Sequence, residues 1–331
     1  MPDLPALGMG RFLPCSILSR HPYVLAAYER DFLNYVAAYE QALPQDQPVT
    51  LFIQLGWQCR KADAAAKLAQ DFRAARERLP QISRVLVLAN EPEEVTALSA
   101  QGMEVVLCHQ NAFLDERRYP ILPFLGKRYD AIYIARITPF KRHALLSQVE
   151  SLRLIGDFSE KERSYAEETL RGLPQARWSR KCPSRLIMLP INQAHCGMCL
   201  SAEEGAMFVS AEYLLCGLPV VNTANIGGRD LVMPDFAVAR VADEPAPVAA
   251  AVREWAAKAP PAADIRAATL AMMRPHREKL LALLHAAGVS DEVCGRYARR
   301  IPHKLGLRCG QSPWRNLTLG LPWPADMPAA R

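Results

Sequence analysis

Cys199-Leu-Ser-Ala-Glu-Glu-Gly-Ala-Met-Phe-Val-Ser-Ala-Glu-Tyr-Leu-Leu-Cys-Gly-Leu-Pro-Val-Val221 reads as loop, helix, turn and strand. Residues 201–205 are small and acidic, and 206–216 are helix-compatible and mostly apolar. Gly217 is placed to end that helix in a left-handed conformation. Residues 218–221 are apolar and partly β-branched, with Pro219 near the start, which predicts a short buried strand of an α/β sheet. Glu204 stands at the helix entrance and Glu212 about two turns in, roughly 12 Å further along the axis. That is about the length of a nucleotide sugar laid along a helix, ribose at one end and hexose at the other. For the spacing alone, one capping and one solvated carboxylate is the plain alternative.

The neighbouring stretches add chemistry. Asn225-Ile-Gly-Gly-Arg-Asp230 follows the strand, and Gly227 and Gly228 permit close backbone approach. Upstream, the strand Tyr129-Asp-Ala-Ile-Tyr-Ile134 leads into Ala135-Arg136-Ile-Thr-Pro-Phe-Lys141, which sets two cations five positions apart around a turn. Taken together, these letters resemble the donor-site signature of the retaining glycosyltransferases of family 4, with the GT-B fold. There a Glu, seven residues beginning with Gly, and a second Glu precede Ala-x-Gly-x-Pro-Val-Val and a Gly-Gly loop. The cation pair resembles that family's Gly-Arg-x-x-x-x-Lys, with Ala135 in place of the Gly. The match runs from about 105 to 251.

The resemblance implies roles. Arg136 and Lys141 would stabilise the leaving diphosphate, which gains negative charge as the glycosidic bond breaks. Glu204 would orient the transferred sugar, and Glu212 would accept both ribose hydroxyls. Amides of Gly205, Ala206 and Met207 at a helix mouth would face the diphosphate. Trp178 and Ser179, at the exit of a short strand, correspond by order to the place of the base. No covalent nucleophile is evident, and such a site needs no bound metal and no cofactor beyond the nucleotide-sugar substrate.

The remaining chain supports an α/β reading. Pro48-Val-Thr-Leu-Phe-Ile-Gln-Leu55, Arg84-Val-Leu-Val-Leu-Ala89 and Met103-Glu-Val-Val-Leu-Cys108 are expected strands, with helices at 62–79 and 91–101 between them. Residues 22–42 show apolar spacing near helical period and predict a helix, while 1–21 suggest no regular structure. His109 is a cleft residue or a structural histidine. Further helices are expected over 143–149, 159–173, 183–195, 245–258 and 265–283 and through Arg300, and strands at 152–156, 176–178 and 236–241. Pro190 should kink or stop the helix at 183–195.

These readings divide the chain into an acceptor-side Rossmann-like domain with its linker over 1–125, a donor-binding domain over 126–283, and a segment 284–331 expected to cross back. The two Rossmann-like domains would face across a cleft, the first one reduced.

Composition narrows the class. Net charge is +6, with dense basic clusters at Arg73-Ala-Ala-Arg-Glu-Arg78 and Arg299-Arg-Ile-Pro-His-Lys304. They are solvated faces, or they attract anionic headgroups or an anionic acceptor. No nucleic-acid module is present. No uncharged apolar run approaches the ~20 residues that span a bilayer, and no secretory pattern opens the chain. Nine scattered cysteines suggest reduced thiols in a cytosolic protein, peripheral at most to the inner membrane face. His195 with Cys196 and Cys199 has no second pair at finger-like spacing, so a metal is not expected. The expected function is sugar transfer from a nucleotide sugar to a glycan, lipid-linked or small-molecule acceptor. A nucleotide-sugar epimerase and a non-catalytic nucleotide-binding or scaffold protein are the alternatives on the same fold.

Overall fold

The computed structural model describes residues 12–307 and 321–324. The chain forms two compact units, the first from residues up to Phe113 and from His276 onward, the second Leu114–Pro275.

The strands are β1 (Cys15–Arg20), β2 (Tyr23–Tyr28), β3 (Val49–Gln54), β4 (Ile82–Ala89), β5 (Glu104–Leu107), β6 (Tyr129–Ile134), β7 (Leu152–Ile155), β8 (Ala176–Ser179), β9 (Ala194–Cys199), β10 (Val220–Thr223) and β11 (Val238–Val241). The α-helices are α1 (Glu29–Leu33), α2 (Val36–Ala42), α3 (Ala62–Arg78), α4 (Pro92–Ser99), α5 (Arg163–Arg171), α6 (Met188–Asn192), α7 (Phe208–Leu215), α8 (Pro245–Ala257), α9 (Ala262–Ala286) and α10 (Asp291–Arg299). The boundary between the units falls at Pro275, inside α9.

The first unit holds a five-stranded sheet in the order β1-β2-β3-β4-β5. β2 to β5 run parallel and β1 pairs antiparallel at the edge. The expected strands at 48–55, 84–89 and 103–108 are present. The helix read over 22–42 is not: Tyr23–Tyr28 is a strand, followed by the two short helices α1 and α2. All six residues of β2 are buried. A strand covered on both faces is apolar at every position, so its period cannot be told from that of a buried helix. β1 likewise lies in the stretch that suggested no regular structure. On one face of the sheet Phe32 stacks on Phe72 at 5.7 Å and meets Tyr39 at 4.9 Å. α3 contributes Ala65, Ala69, Phe72 and Ala75 to its buried side.

The second unit holds a six-stranded, all-parallel sheet in the order β11-β10-β9-β6-β7-β8. α7 lies close against it because residue 197 of β9 is Gly. A β-carbon there would stand 2.3 Å from the Tyr213 ring. The Tyr213 hydroxyl accepts a 2.8 Å hydrogen bond from the Ile134 amide at the end of β6. Two expected helices are shorter than read. The stretch 183–195 contains only α6, with Pro190 inside it, before β9 begins at Ala194. The stretch 143–149 holds one 3-10 turn, His143–Leu146.

Among the described residues no helix is long and apolar enough to cross a membrane. The eight described cysteines are free thiols.

Candidate functional site

The second sheet reverses its order at β6: the chain moves outward to β7 and β8, then returns to β9 on the other side and continues to β10 and β11. In an open parallel sheet such a reversal leaves a crevice at the carboxyl ends of the strands. The loops bordering it are residues 135–141 after β6 and 200–207 after β9. Here Lys141 and Glu204, 63 positions apart, form an ion pair. Only 13% of the Lys141 side chain and 9% of the Glu204 side chain are exposed. The Ser201 hydroxyl donates to the same carboxylate at 2.7 Å.

Backbone bonds knit three loops around this pair. The Ala202 amide donates to Phe140 O at 2.8 Å, Ile226 to Ala202 O at 2.9 Å, and Glu204 to Ile226 O at 2.9 Å. Gly227 follows at φ 124°, and a β-carbon there would lie 1.5 Å from the Glu204 carbonyl oxygen. No other residue fits against that carbonyl in this conformation. Gly228 is buried and opens a short 3-10 turn, Gly228–Val232.

Burial pulls the Lys141 ammonium down to about 8 from 10.5, with the Arg229 and Arg136 guanidinium groups adding to the effect. Arg136 itself is 63% exposed and paired with Glu162 at 3.0 Å. Arg229 is fully buried and donates to Ser201 O at 3.1 Å and Thr223 O at 2.6 Å, beside Asp230 at 3.3 Å. Arg142, in the left-handed region at φ 51°, donates to Leu200 O at 2.5 Å, Thr223 Oγ1 at 2.7 Å and Ala224 O at 2.8 Å. It also pairs with Asp243. These two arginines tie the ends of β9 and β10 together. Sequence reasoning passed over both, although each adjoins a residue it singled out, Gly228 and Lys141. The Thr138 hydroxyl, 1% exposed, finds no hydrogen-bond partner among the described residues.

The helix mouth lies further along than the sequence suggests. Met207 is the N-cap, at φ 45°, and α7 begins at Phe208. Gly205, Ala206 and Met207 therefore belong to the loop, and their amides precede the first helical turn. Glu204 is a loop residue too. Glu212 sits in α7, 9% exposed, and accepts a 2.9 Å hydrogen bond from the Tyr119 hydroxyl.

Trp178 and Ser179 end β8, two strands away from β6 at the sheet's far edge. Trp178 is 37% exposed, donates from Nε1 to Gly156 O at 3.0 Å and stacks beside Phe158 at 6.2 Å. Ser179 Oγ accepts from Arg153 at 2.6 Å. Thus Glu204 is in direct contact with both Lys141 and Gly227, Arg136 is near enough to act on the Lys141 charge, and Trp178 and Ser179 stand apart.

The first unit also gathers polar groups at the carboxyl ends of its strands. Glu94 is buried and accepts from the Asn90 amide at 2.7 Å and the Cys59 amide at 3.0 Å. Burial nonetheless pushes its carboxyl up to about 7. Gln110, after β5, accepts from the Tyr28 hydroxyl at 3.1 Å. His109 is fully buried next to it. Nothing in the spacing of Glu94 marked it beforehand. No group of three or more His, Cys, Asp or Glu among the described residues could hold a metal ion.

No protein-family model matches the chain, and no curated protein does. Solved structures do. The chain is similar to Alr3699/HepE of Anabaena, crystallised in complex with UDP, at 17% identity over 80% of this chain and 79% of that one, TM-score 0.58. It is similar to a UDP-forming alpha,alpha-trehalose-phosphate synthase of Burkholderia vietnamiensis at 12% identity over 79% and 71%, TM-score 0.53. It is also similar to sucrose-phosphate synthase of Thermosynechococcus elongatus at 15% identity over 83% and 72%, TM-score 0.51. At these identities the likeness is one of fold: two Rossmann-like sheets of the GT-B class.

Proposed function

We propose that this chain is a glycosyltransferase that moves a sugar from a nucleoside-diphosphate donor to an acceptor, with retention of anomeric configuration and without a bound metal. The observation that carries the reading is the Lys141–Glu204 pair at the strand-order reversal of the second sheet. A cation and a carboxylate from different loops meet there, where the fold places ligands.

The chemistry follows from those groups. A departing nucleoside diphosphate accumulates charge, and Lys141 and Arg136 supply fixed cations for it. A diphosphate favours the charged form of Lys141 and takes over its partnership with Glu204. The freed Glu204 carboxylate then orients sugar hydroxyls. Amides of Gly205, Ala206 and Met207 and the close backbone at Gly227 and Gly228 accommodate the phosphates. Glu212 receives the ribose hydroxyls, and Trp178 with Ser179 borders the base. The acceptor is a glycan, a lipid-linked sugar or a small molecule, the lipid-linked one being met at an anionic membrane surface on the cytoplasmic side. The UDP and UDP-glucose crystallised with Anabaena HepE support a nucleotide-sugar donor.

A thermal-shift panel of nucleoside diphosphates and their sugars, with and without EDTA, tests this. One nucleotide should stabilise the chain, by about 2.7 kcal/mol at a hundredfold excess over Kd, and EDTA should leave the shift intact. No shift from any nucleotide sinks the reading. Turnover of the donor without an acceptor would make the chain an epimerase or hydrolase, and binding without turnover a non-catalytic relative.

A further inference from the structure

The second basic cluster of the sequence, Arg299 to Lys304, has no place in the donor reading. It lies in the first unit, and the structure puts part of it beside a cavity of about 600 Å³ between β1 and α10. Ligand sites are typically about 300–1,000 Å³.

The position is unusual for this fold. β1 pairs along β2 from Arg20–Tyr23 to Cys15–Ala27, and its cavity-lining end, from Ile17 opposite Leu25 to Arg20 opposite Tyr23, lies beside the amino-terminal half of β2. β2 to β5 are parallel. The cavity therefore sits at the amino ends of the sheet, opposite the edge where such sheets take their substrates.

Its walls have two characters. Ile17 and Leu18 from β1, Val293 from α10 and Pro302 give an apolar interior. α10 lines it with Val293 and Arg296, one turn apart on one face, and the flanking Ser290 and Arg300 extend that wall beyond the two helix ends. Tyr297 joins the two walls by donating to Leu18 O at 2.8 Å, which fixes the helix against the edge strand. The mouth carries the exposed Arg20, Arg296 and Arg300, with His21 beside Arg20. No Asp or Glu is among the described residues lining it. The guanidinium groups of Arg20 and Arg296 flank one opening, with no carboxylate among the described residues of its lining, and form a local excess of positive charge that an anion relieves. A guanidinium fork matches two oxygens of a carboxylate or a phosphate at once, and a phosphomonoester, with three oxygens and a charge of about −1.5 to −2, can engage two such forks together.

We propose that this groove is a binding site for an amphiphilic phosphomonoester: the phosphate held by Arg20 and Arg296, an alkyl or prenyl chain laid along Ile17, Leu18 and Val293. The site is separate from the donor site and independent of the function assigned to it. The same headgroup chemistry is offered by a lipid in a membrane and by a free amphiphile in solution.

The test is calorimetric titration of the full chain with octyl phosphate below its micelle concentration, against inorganic phosphate and octanol. Octyl phosphate should bind at least roughly tenfold more tightly than either half alone, about 1.4 kcal/mol. The exposed-residue variants Arg20→Gln and Arg296→Gln should each weaken it severalfold and together abolish it, with nucleotide binding and Tm unchanged. Co-sedimentation with phosphatidylcholine vesicles, with and without phosphatidic acid, then identifies the source. Capture by the acidic vesicles alone, lost in the double variant, assigns a membrane lipid; octyl phosphate binding without capture assigns a soluble amphiphile. Absence of octyl phosphate binding overturns the proposal. So does binding that matches inorganic phosphate, or binding that survives both substitutions.

Discussion

The Tyr119 hydroxyl donates a 2.9 Å hydrogen bond to the Glu212 carboxylate, across 93 positions of sequence. Burial and the Glu212 charge hold the Tyr119 phenol well above its ordinary range, so it remains a neutral donor. Arg266 in turn anchors the Tyr119 carbonyl at 2.5 Å and the Glu116 carbonyl at 2.8 Å, and also donates to Leu215 O. The orientation of Glu212 is thus set from outside its own helix. Removing the hydroxyl by Tyr119→Phe takes a donor from a buried carboxylate. The expected cost is about 1.5–3 kcal/mol, the range for hydrogen bonds to charged groups. Urea denaturation reads it directly. Nucleotide affinity should fall severalfold in the same variant, and by more in Glu212→Ala, whose carboxylate is gone altogether.

Gly227 tests the loop rather than a side chain. Both its φ of 124° and the 1.5 Å approach to Glu204 O exclude a β-carbon. Gly227→Ala must displace the backbone that carries Glu204. A loss of stability above about 2 kcal/mol is expected, together with loss of the nucleotide-induced thermal shift. A variant with the parent Tm and parent nucleotide shift would show that the loop does not hold Glu204 in place.

His143 gives an acid-side signature. It is fully buried against Tyr133 at 5.0 Å, and neither ring nitrogen has a hydrogen-bond partner among the described residues. Burial lowers its pKa to about 3 from 6.5, with Lys141 adding repulsion. Between those values the unfolded chain binds a proton that the folded one does not. Its contribution is therefore complete above pH 6.5 and is lost as pH falls toward 3, by at most about 1.4 kcal/mol per pH unit. His143→Leu should flatten the stability profile over that window and be more stable than the parent at pH 5. Parallel profiles for the two proteins would place the proton elsewhere.

What could be read from the letters follows from physical range. Alternating strands and helices, the Gly217 stop and the 129–141 strand-and-turn are local, and local preference decided them. β2 misled because complete burial erases period, and the start of α7 was misread because nothing in Gly-Ala-Met announces a left-handed Met207. The resemblance assigned Lys141 and Glu204 to one donor site but not to each other, and their direct contact was not legible, since each residue alone is an ordinary surface charge by type. Arg229, Tyr119 and Glu94 act through burial and distant partners. No periodicity encodes those.

Lys141 carries the most direct consequence for function. Its ammonium lies at about 8 in the ligand-free protein, chiefly because it is buried, although Glu204 favours the charged form. A diphosphate bound beside it must raise that value, because two negative phosphates favour the protonated amine. Between the free and bound values the complex holds one proton more than the free protein. By linkage, affinity is then full below about pH 8 and falls as pH rises through the free value toward the bound one. A nucleotide sugar is the appropriate probe, since its esterified diphosphate has no proton of its own to lose in this window. Titration at pH 7, 8, 9 and 10 should show affinity falling by up to roughly tenfold per unit above pH 8. Calorimetry in buffers of different ionisation enthalpy should show proton uptake on binding near pH 9. Lys141→Arg keeps a charge at every pH in this range, though its fork cannot reproduce the ammonium geometry. Its affinity should be lower at pH 7 yet flat to pH 10. A parent protein whose affinity is equally flat would mean that the ammonium does not touch the diphosphate, and the cation assignment at this site would have to pass to Arg136 alone.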